Sequence, residues 1–397
     1  DSITGDFVIS DNSIFGKLDI ISNGLNGKVN VFSYIDEDNF HIDGSLQLNN
    51  FNLSNYSSLN LNSKLNGNIN FEWQLSNNSG TLSAFTNLQN GSLLQSKFKN
   101  IHNSTKLQKN NGTYRGESKG IIRNWLLNPY SWKKIDYAVD ITDSGITYFN
   151  LSAISDFGDS LSLEGKAQQL SNIFVSKLAG TLKNTAIECE PFFINLDKER
   201  IIIPALNAIV GGGFINLSGT YNNHTNYNLY GSIDNLELKS IYAIIGNTFE
   251  LHGKIMKSQF RIETNNTTPL LLLHLALQDG NYEEIYFDSL FLSATYHDRR
   301  LVISNSKMQG SIGYMKAIGW VNIGLFSDSL IFIPQDQFNL NITFDHFEIE
   351  KFKRYMPWEL LTKGLMTGKW KITGFSNDLE ILGDISIEKP RFDKIKC

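Results

Sequence analysis

The stretch Phe338–Phe344, FNLNITF, alternates without a break: Phe338, Leu340, Ile342 and Phe344 are apolar, and Asn339, Asn341 and Thr343 between them are polar. Successive side chains of an extended strand point to opposite faces, so a period of two builds a strand with one dry face and one wet face. The design recurs at INFEWQL, where Ile69, Phe71, Trp73 and Leu75 oppose Asn70, Glu72 and Gln74. It recurs again at LFLSATY, with Leu290, Leu292, Ala294 and Tyr296 in phase. Strands sandwiched between helices read instead as unbroken apolar runs, and helical three-four spacing is scarce here. The chain is expected to be all-β and mostly antiparallel.

Asn/Gly and Ser/Gly pairs at Asn23-Gly24, Asn66-Gly67, Asn90-Gly91, Asn111-Gly112 and Ser144-Gly145 fit hairpin turns that need positive φ. Three segments have the spacing of one- or two-turn helices: IIRNWLLNPYSW (Ile121 to Trp132), SIYAIIG and KFKRYMPWELL. The last two sit at the centres of a pair of ungapped, matching stretches, Ile233 to Gly253 and Phe344 to Gly364. Asp234 matches Asp345, Glu237 matches Glu348 and Gly253 matches Gly364, with apolar residues coinciding at Leu236/Phe347 and Leu238/Ile349. Beyond the glycines, Phe260/Ile262 and Trp370/Ile372 come into register after a one-residue length change. A looser copy runs from Leu48 to Gly67. Residues 1–397 therefore read as one continuous β repeat array and a piece of a longer chain, with soft sub-boundaries near 120 and 210 and the clearest cassettes at 211–265 and 338–390.

With 41% apolar and 12% aromatic residues the chain can bury a core, so wholesale disorder is not expected. A net charge of −5 with scattered Lys and Arg gives no basic stripe, and nucleic acid is not an expected partner. Two cysteines, Cys189 and Cys397, form no CxxC pair. The longest apolar runs, Ile201 to Val210 and Leu270 to Leu277, are far shorter than the roughly 20 residues that cross a bilayer as a helix.

Candidate chemistry is sparse. GESKG, Gly116 to Gly120, fits the nucleophile pattern G-x-S-x-G at Ser118, but a strand must precede and a helix follow, and no Asp and His can be assigned; a hairpin turn is the expectation. Gly211-Gly212-Gly213 is followed by strand-like FINLSG, so a tight turn is expected in place of a phosphate cradle. The acidic IDEDNFHIDG, Ile35 to Gly44, places Phe40 where a calcium loop wants oxygen, so no metal is expected. His274, in phase with Leu270 and Leu272, is expected to pack in the core. Trp73, Trp320, Trp358 and Trp370 are expected to line a core or groove. No cofactor and no enzymatic activity are expected.

The segments LNAIVGGGFINLSGTYNNHTNYNLYGSIDNLELKSIYAIIG and GLMTGKWKITGFSNDLEILGDISI resemble the TamB/AsmA-like repeat family of Gram-negative envelopes. The shared features are a Gly-rich turn before a strand ending in Ser-Gly, an x-L-x-L segment before a short helix, and glycine-punctuated strand pairs such as MQGSIGYMKAIGWVNI. The likeness is best from about 201 to 390; relatives carry Pro where this chain has Asp378-Leu379.

The resemblance implies an elongated antiparallel sheet curled into a U-shaped, taco-like trough with an apolar interior. It also implies a periplasmic location, a tether to the inner membrane outside this chain, and transport of phospholipids to the outer membrane. Family members also aid outer-membrane protein assembly through a barrel partner, here by regions outside this chain. The groove candidates are Ile69, Phe71, Trp73, Leu75, Leu290, Leu292, Phe338, Leu340, Ile342, Phe344, Trp370 and Ile372, with acyl chains as the partner. The competing expectation is a secreted adhesin or autotransporter passenger built as a β-solenoid.

Overall fold

The computed structural model describes residues 2–10, 13–22, 24–34, 39–55, 62–76, 79–93, 96–128, 130–143, 145–168, 171–197, 200–222, 226–245, 251–264, 269–324, 335–351 and 361–392. Among them the chain is all-β: one antiparallel sheet of 27 strands with a single α-helix. Two compact units divide it, Asp1–Leu196 and Asp197–Cys397.

The first unit holds β1 (Ser2–Ser10), β2 (Ser13–Ser22), β3 (Leu25–Tyr34), β4 (Asn39–Phe51), β5 (Ser63–Leu75), β6 (Ser79–Leu93), β7 (Ser96–Asn110), β8 (Thr113–Leu127), β9 (Tyr130–Thr142), β10 (Gly145–Ile154), β11 (Ser160–Gln168), β12 (Asn172–Leu182), β13 (Thr185–Cys189) and β14 (Phe192–Asp197). Each strand up to β12 pairs with the next, and β13 and β14 pair with successive halves of β12. The second unit holds β15 (Arg200–Val210), β16 (Gly213–Asn222), β17 (Asn226–Asp234), β18 (Leu236–Glu237), the helix α1 (Leu238–Ile245), β19 (Leu251–Ile255), β20 (Ser258–Thr264), β21 (Pro269–Tyr282), β22 (Ile285–His297), β23 (Arg300–Gly310), β24 (Gly313–Asn322), β25 (Gln337–Glu348), β26 (Leu361–Phe375) and β27 (Asp378–Phe392).

Turn chemistry explains much of the connectivity. Asn111-Gly112 and Gly211-Gly212 close two-residue hairpins, with φ of 49° and 83° in the first and 53° and 86° in the second. Two positive φ angles in succession match the twist of the flanking strands. Ser22 pairs with Leu25, as the expected turn at Asn23-Gly24 requires, whereas Thr142 pairs with Gly145, which puts Gly145 in the strand and not in the turn expected at Ser144-Gly145.

Asn66-Gly67 and Asn90-Gly91 do not make turns. Both lie inside long strands, where a left-handed residue or a register shift interrupts the ladder; Asn90 has φ 47° and Gly67 φ 142°. The expected helix over Ile121 to Trp132 is also absent, because β8 continues to Leu127 and β9 begins at Tyr130. Asn124, at φ 51°, breaks the alternation without shifting the register with β9, and Ile122 and Trp125, three residues apart, pack against the same buried cluster. An interruption of this kind imitates helical spacing in the sequence.

The same device defines the cassettes. Asn50, Asn235 and His346 occupy equivalent positions and are all left-handed, at φ 51°, 58° and 48°. Each is followed by an inward apolar residue, Phe51, Leu236 or Phe347, the last two being completely buried. These three pair with Leu65, Ile255 and Met366 on the returning strand. Gly253 and Gly364 are therefore equivalent, both with positive φ, as are Phe260/Trp370 and Ile262/Ile372. The looser copy has a shorter connection, so Gly67, which pairs with Leu48, corresponds to Gly368, which pairs with Phe344, and not to Gly364. Helix α1 forms as expected and buries Leu238, Ser240 and Ala243; Tyr242 Oη donates to the carbonyl of Leu251 at 2.6 Å, tying the helix to the returning strand. Of the expected helix of the second cassette, KFKRYMPWELL, residues 352–360 lie outside the described residues, Trp358 among them, and Leu361 begins β26.

The buried residues gather on one face. Leu48, Leu65, Leu88 and Phe98 form a cluster with Phe51, Ile101, Ile122 and Trp125 against it; a second joins Trp132, Ile135, Ala153 and Leu182. In the second unit Tyr296, Val321 and Ile323 pack with Leu271, Leu301, Phe338 and Leu340.

Candidate functional site

Residues directly opposite on neighbouring strands share a face, so the register alone locates the candidate groove residues. In the second unit Leu275, Leu292, Ser306, Ala317, Ile342, Trp370 and Gly383 form one row across β21 to β27. The neighbouring row holds Leu277, Leu290, Met308, Met315, Phe344 and Gly368. Another runs through Phe260, Leu273, Ala294, Ile303, Gly319, Leu340, Ile372 and Ile381, and Phe338 follows Tyr296, Leu301 and Val321 in the next. All eight candidates of this unit therefore lie on one face. Trp370 meets Phe344 edge-on at 4.9 Å between ring centres, and Phe344 meets Phe347 at 5.5 Å.

In the first unit Ile69, Phe71, Trp73 and Leu75 share a face in the same way, with Leu46, Gly44, Ile42 and Phe40 opposite them on β4. Of the twelve candidates, Phe344 is buried, Trp73 is 42% exposed and the other ten are half-buried.

Glycines shape this face. Gly44, Gly120, Gly165, Gly231 and Gly383 each have an aromatic ring from the next strand lying over them: Phe71, Tyr137, Phe149, Phe260 and Trp370. A Cβ at any of these glycines would come closer than 3.0 Å to the ring. The rings lie flat along the sheet in the space a side chain would fill.

The face is not wholly apolar. Asn103, Thr105, Ser118 and Tyr137 lie in rows with Ile69 and Phe71, making a polar island on β7 to β9. Ser118 Oγ and Tyr137 Oη donate to Asn103 Oδ1 at 3.0 and 2.9 Å, Asn103 Nδ2 donates to Thr105 Oγ1 at 2.9 Å, and Thr105 Oγ1 lies 2.9 Å from Ser118 Oγ. Burial pushes the Tyr137 phenol up. Ser118 therefore sits in mid-strand with strand on both sides, neither on the expected turn nor on a strand-to-helix elbow. Sequence alternation missed the island because small polar residues can occupy either face.

Among the described residues, four clefts open on the polar face. The largest, about 740 Å³, includes Asn68, Asn70, Phe85, Asn87 and His102. One of about 580 Å³ includes Phe32, His41, Gln74 and Thr81. In the second unit, clefts of about 360 and 380 Å³ include Tyr230, Gln259 and His274, and Asn341, Lys369 and Lys371. Leu75, Ile342 and Trp370 border two of these; the register gives their side chains to the other face.

His274 is exposed, with Nδ1 3.0 Å from Ser293 Oγ, because in register it shares the polar face with Gln259 and Ser293, not the packed face of Leu271, Leu273 and Leu275. Among the described residues no group of His, Cys, Asp and Glu could hold a metal ion. Cys189 is buried, which pushes its thiol up. No described helix is long and apolar enough to cross a membrane. Compared with known proteins, the chain matches no protein-family model and no curated protein.

Proposed function

We propose that the apolar face carries phospholipid acyl chains, and that the chain is a non-enzymatic periplasmic segment of a TamB/AsmA-like protein working between the inner and outer membranes. One observation supports this above others: the apolar rows of the second unit run in register from strand to strand, across the direction of the individual strands. In the first unit the rows of Ile69 and Phe71 begin in the same way and meet the polar island on β7 to β9. A track of this kind offers an acyl chain apolar contact at successive strands. Moving sixteen methylene-sized groups through water costs on the order of 12 kcal/mol, and contact with such a face offsets most of that. Flat-lying rings over glycine leave room above the floor of the track. On this proposal an inner-membrane tether and any barrel partner in outer-membrane protein assembly belong to other parts of the protein.

A photo-crosslinking residue at Ile342 or Phe71 should capture phospholipid from membranes of producing cells, whereas one at Asn341 or Asn70 should not. Equal capture from both faces would sink the proposal.

A further inference from the structure

Phe85 stands on the polar face of β6 and is 55% exposed. Its cross-strand neighbours on that face are Asn70 and Ser104, and the next row holds Asn68, Asn87 and His102. The ring contributes little through burial there and leaves an apolar plane open to solvent beside polar side chains. The side chains of Asn68, Asn70, Asn87 and His102 make no hydrogen bond with another described residue. Ring and polar groups together border the cleft of about 740 Å³, within the roughly 300–1,000 Å³ typical of ligand sites.

We propose that this cleft binds a neutral oligosaccharide. A pyranose ring presents C–H groups on one face and hydroxyls around its rim. Phe85 offers an apolar plane for the first, and each flanking carboxamide offers both donors and an acceptor to neighbouring hydroxyls. Among the residues that border the cleft, Lys119 pairs with Glu117, and Asp136 with Lys134 at 2.8 Å. Lys119, the one Lys or Arg among the described residues bordering the cleft, is thus already paired, which favours a neutral ligand over a nucleotide or sugar phosphate. The cleft continues from β5 to Asn150 on β10, which suits a chain of sugars better than a single one. It lies on the face opposite the acyl track, so the proposal stands independently of lipid transport.

Saturation-transfer NMR of the whole chain with chitotetraose, cellotetraose and maltotetraose, each at about 5 mM, tests it. Transfer to ring C–H protons of at least one sugar is expected, with Phe85→Ala weakening the affinity about tenfold and Asn87→Ala weakening it as well. Because both side chains are exposed, the circular dichroism of the variants should match that of the parent, which separates lost binding from lost folding. No transfer to any of the three sugars would overturn the proposal, as would unchanged binding by Phe85→Ala or preferential binding of adenosine monophosphate.

Discussion

Gly231 and Phe260 face each other across β17 and β20, and the Phe260 ring occupies the space where a Gly231 side chain would stand. The pair is one instance of a repeated relation between glycine and aromatic residues on the apolar face. Its consequence is mechanical: the ring can lie flat only while the residue beneath it has no Cβ.

Gly231→Ala should destabilise the second unit by about 1–3 kcal/mol, the usual cost of forcing extra atoms into packed space. Chemical denaturation followed by tryptophan fluorescence would measure it. Gly112→Ala provides a contrast, since nothing lies within 4 Å of a Cβ there and its cost comes only from φ of 83°.

Asn90 holds φ 47° inside β6. A β-branched residue tolerates that conformation poorly, so Asn90→Val should cost about 1–2 kcal/mol, while Asn90→Gly should be nearly neutral. Thermal melting of the two variants side by side would distinguish a backbone requirement from a side-chain contact.

Ile342 lies in the row between Ala317 and Trp370. If that row carries acyl chains, Ile342→Asn should lower co-purifying phospholipid several-fold, and Asn341→Ser should leave it unchanged. Mass spectrometry of extracted lipid, normalised to folded protein, is the readout.

Burial raises the pKa of Cys189 above its ordinary value of 9.0 and those of Tyr130, Tyr137 and Tyr242 above 10.0. Each group is neutral when protonated, so above its ordinary value the unfolded chain loses the proton first. The stabilisation is complete below about pH 9 and is lost as pH rises through that value and then through 10. Denaturation midpoints should fall on that alkaline limb, and Tyr137→Phe should make the fall above pH 10 shallower.

FNLNITF and its counterparts determined the strands, their apolar faces and the antiparallel class, because a period of two is a local property of extended backbone. The paired cassettes were legible for the same reason, and the left-handed positions within them had a readable signal: an apolar residue, two positions ending in Asn or His, then another apolar residue, as at Ile233–Leu236 and Phe344–Phe347. The same spacing at Ile122–Trp125 was mistaken for helix, since local spacing alone does not separate a kinked strand from a helical turn.

Only tertiary structure decided which glycine lies under which ring, that Asn103, Thr105, Ser118 and Tyr137 form an island within the apolar rows, and that the clefts open on the polar face around residues such as Phe85. Those relations depend on register between strands up to tens of residues apart. A shift of one residue would reverse every face, and alternation within one strand carries no information about its partner's alignment.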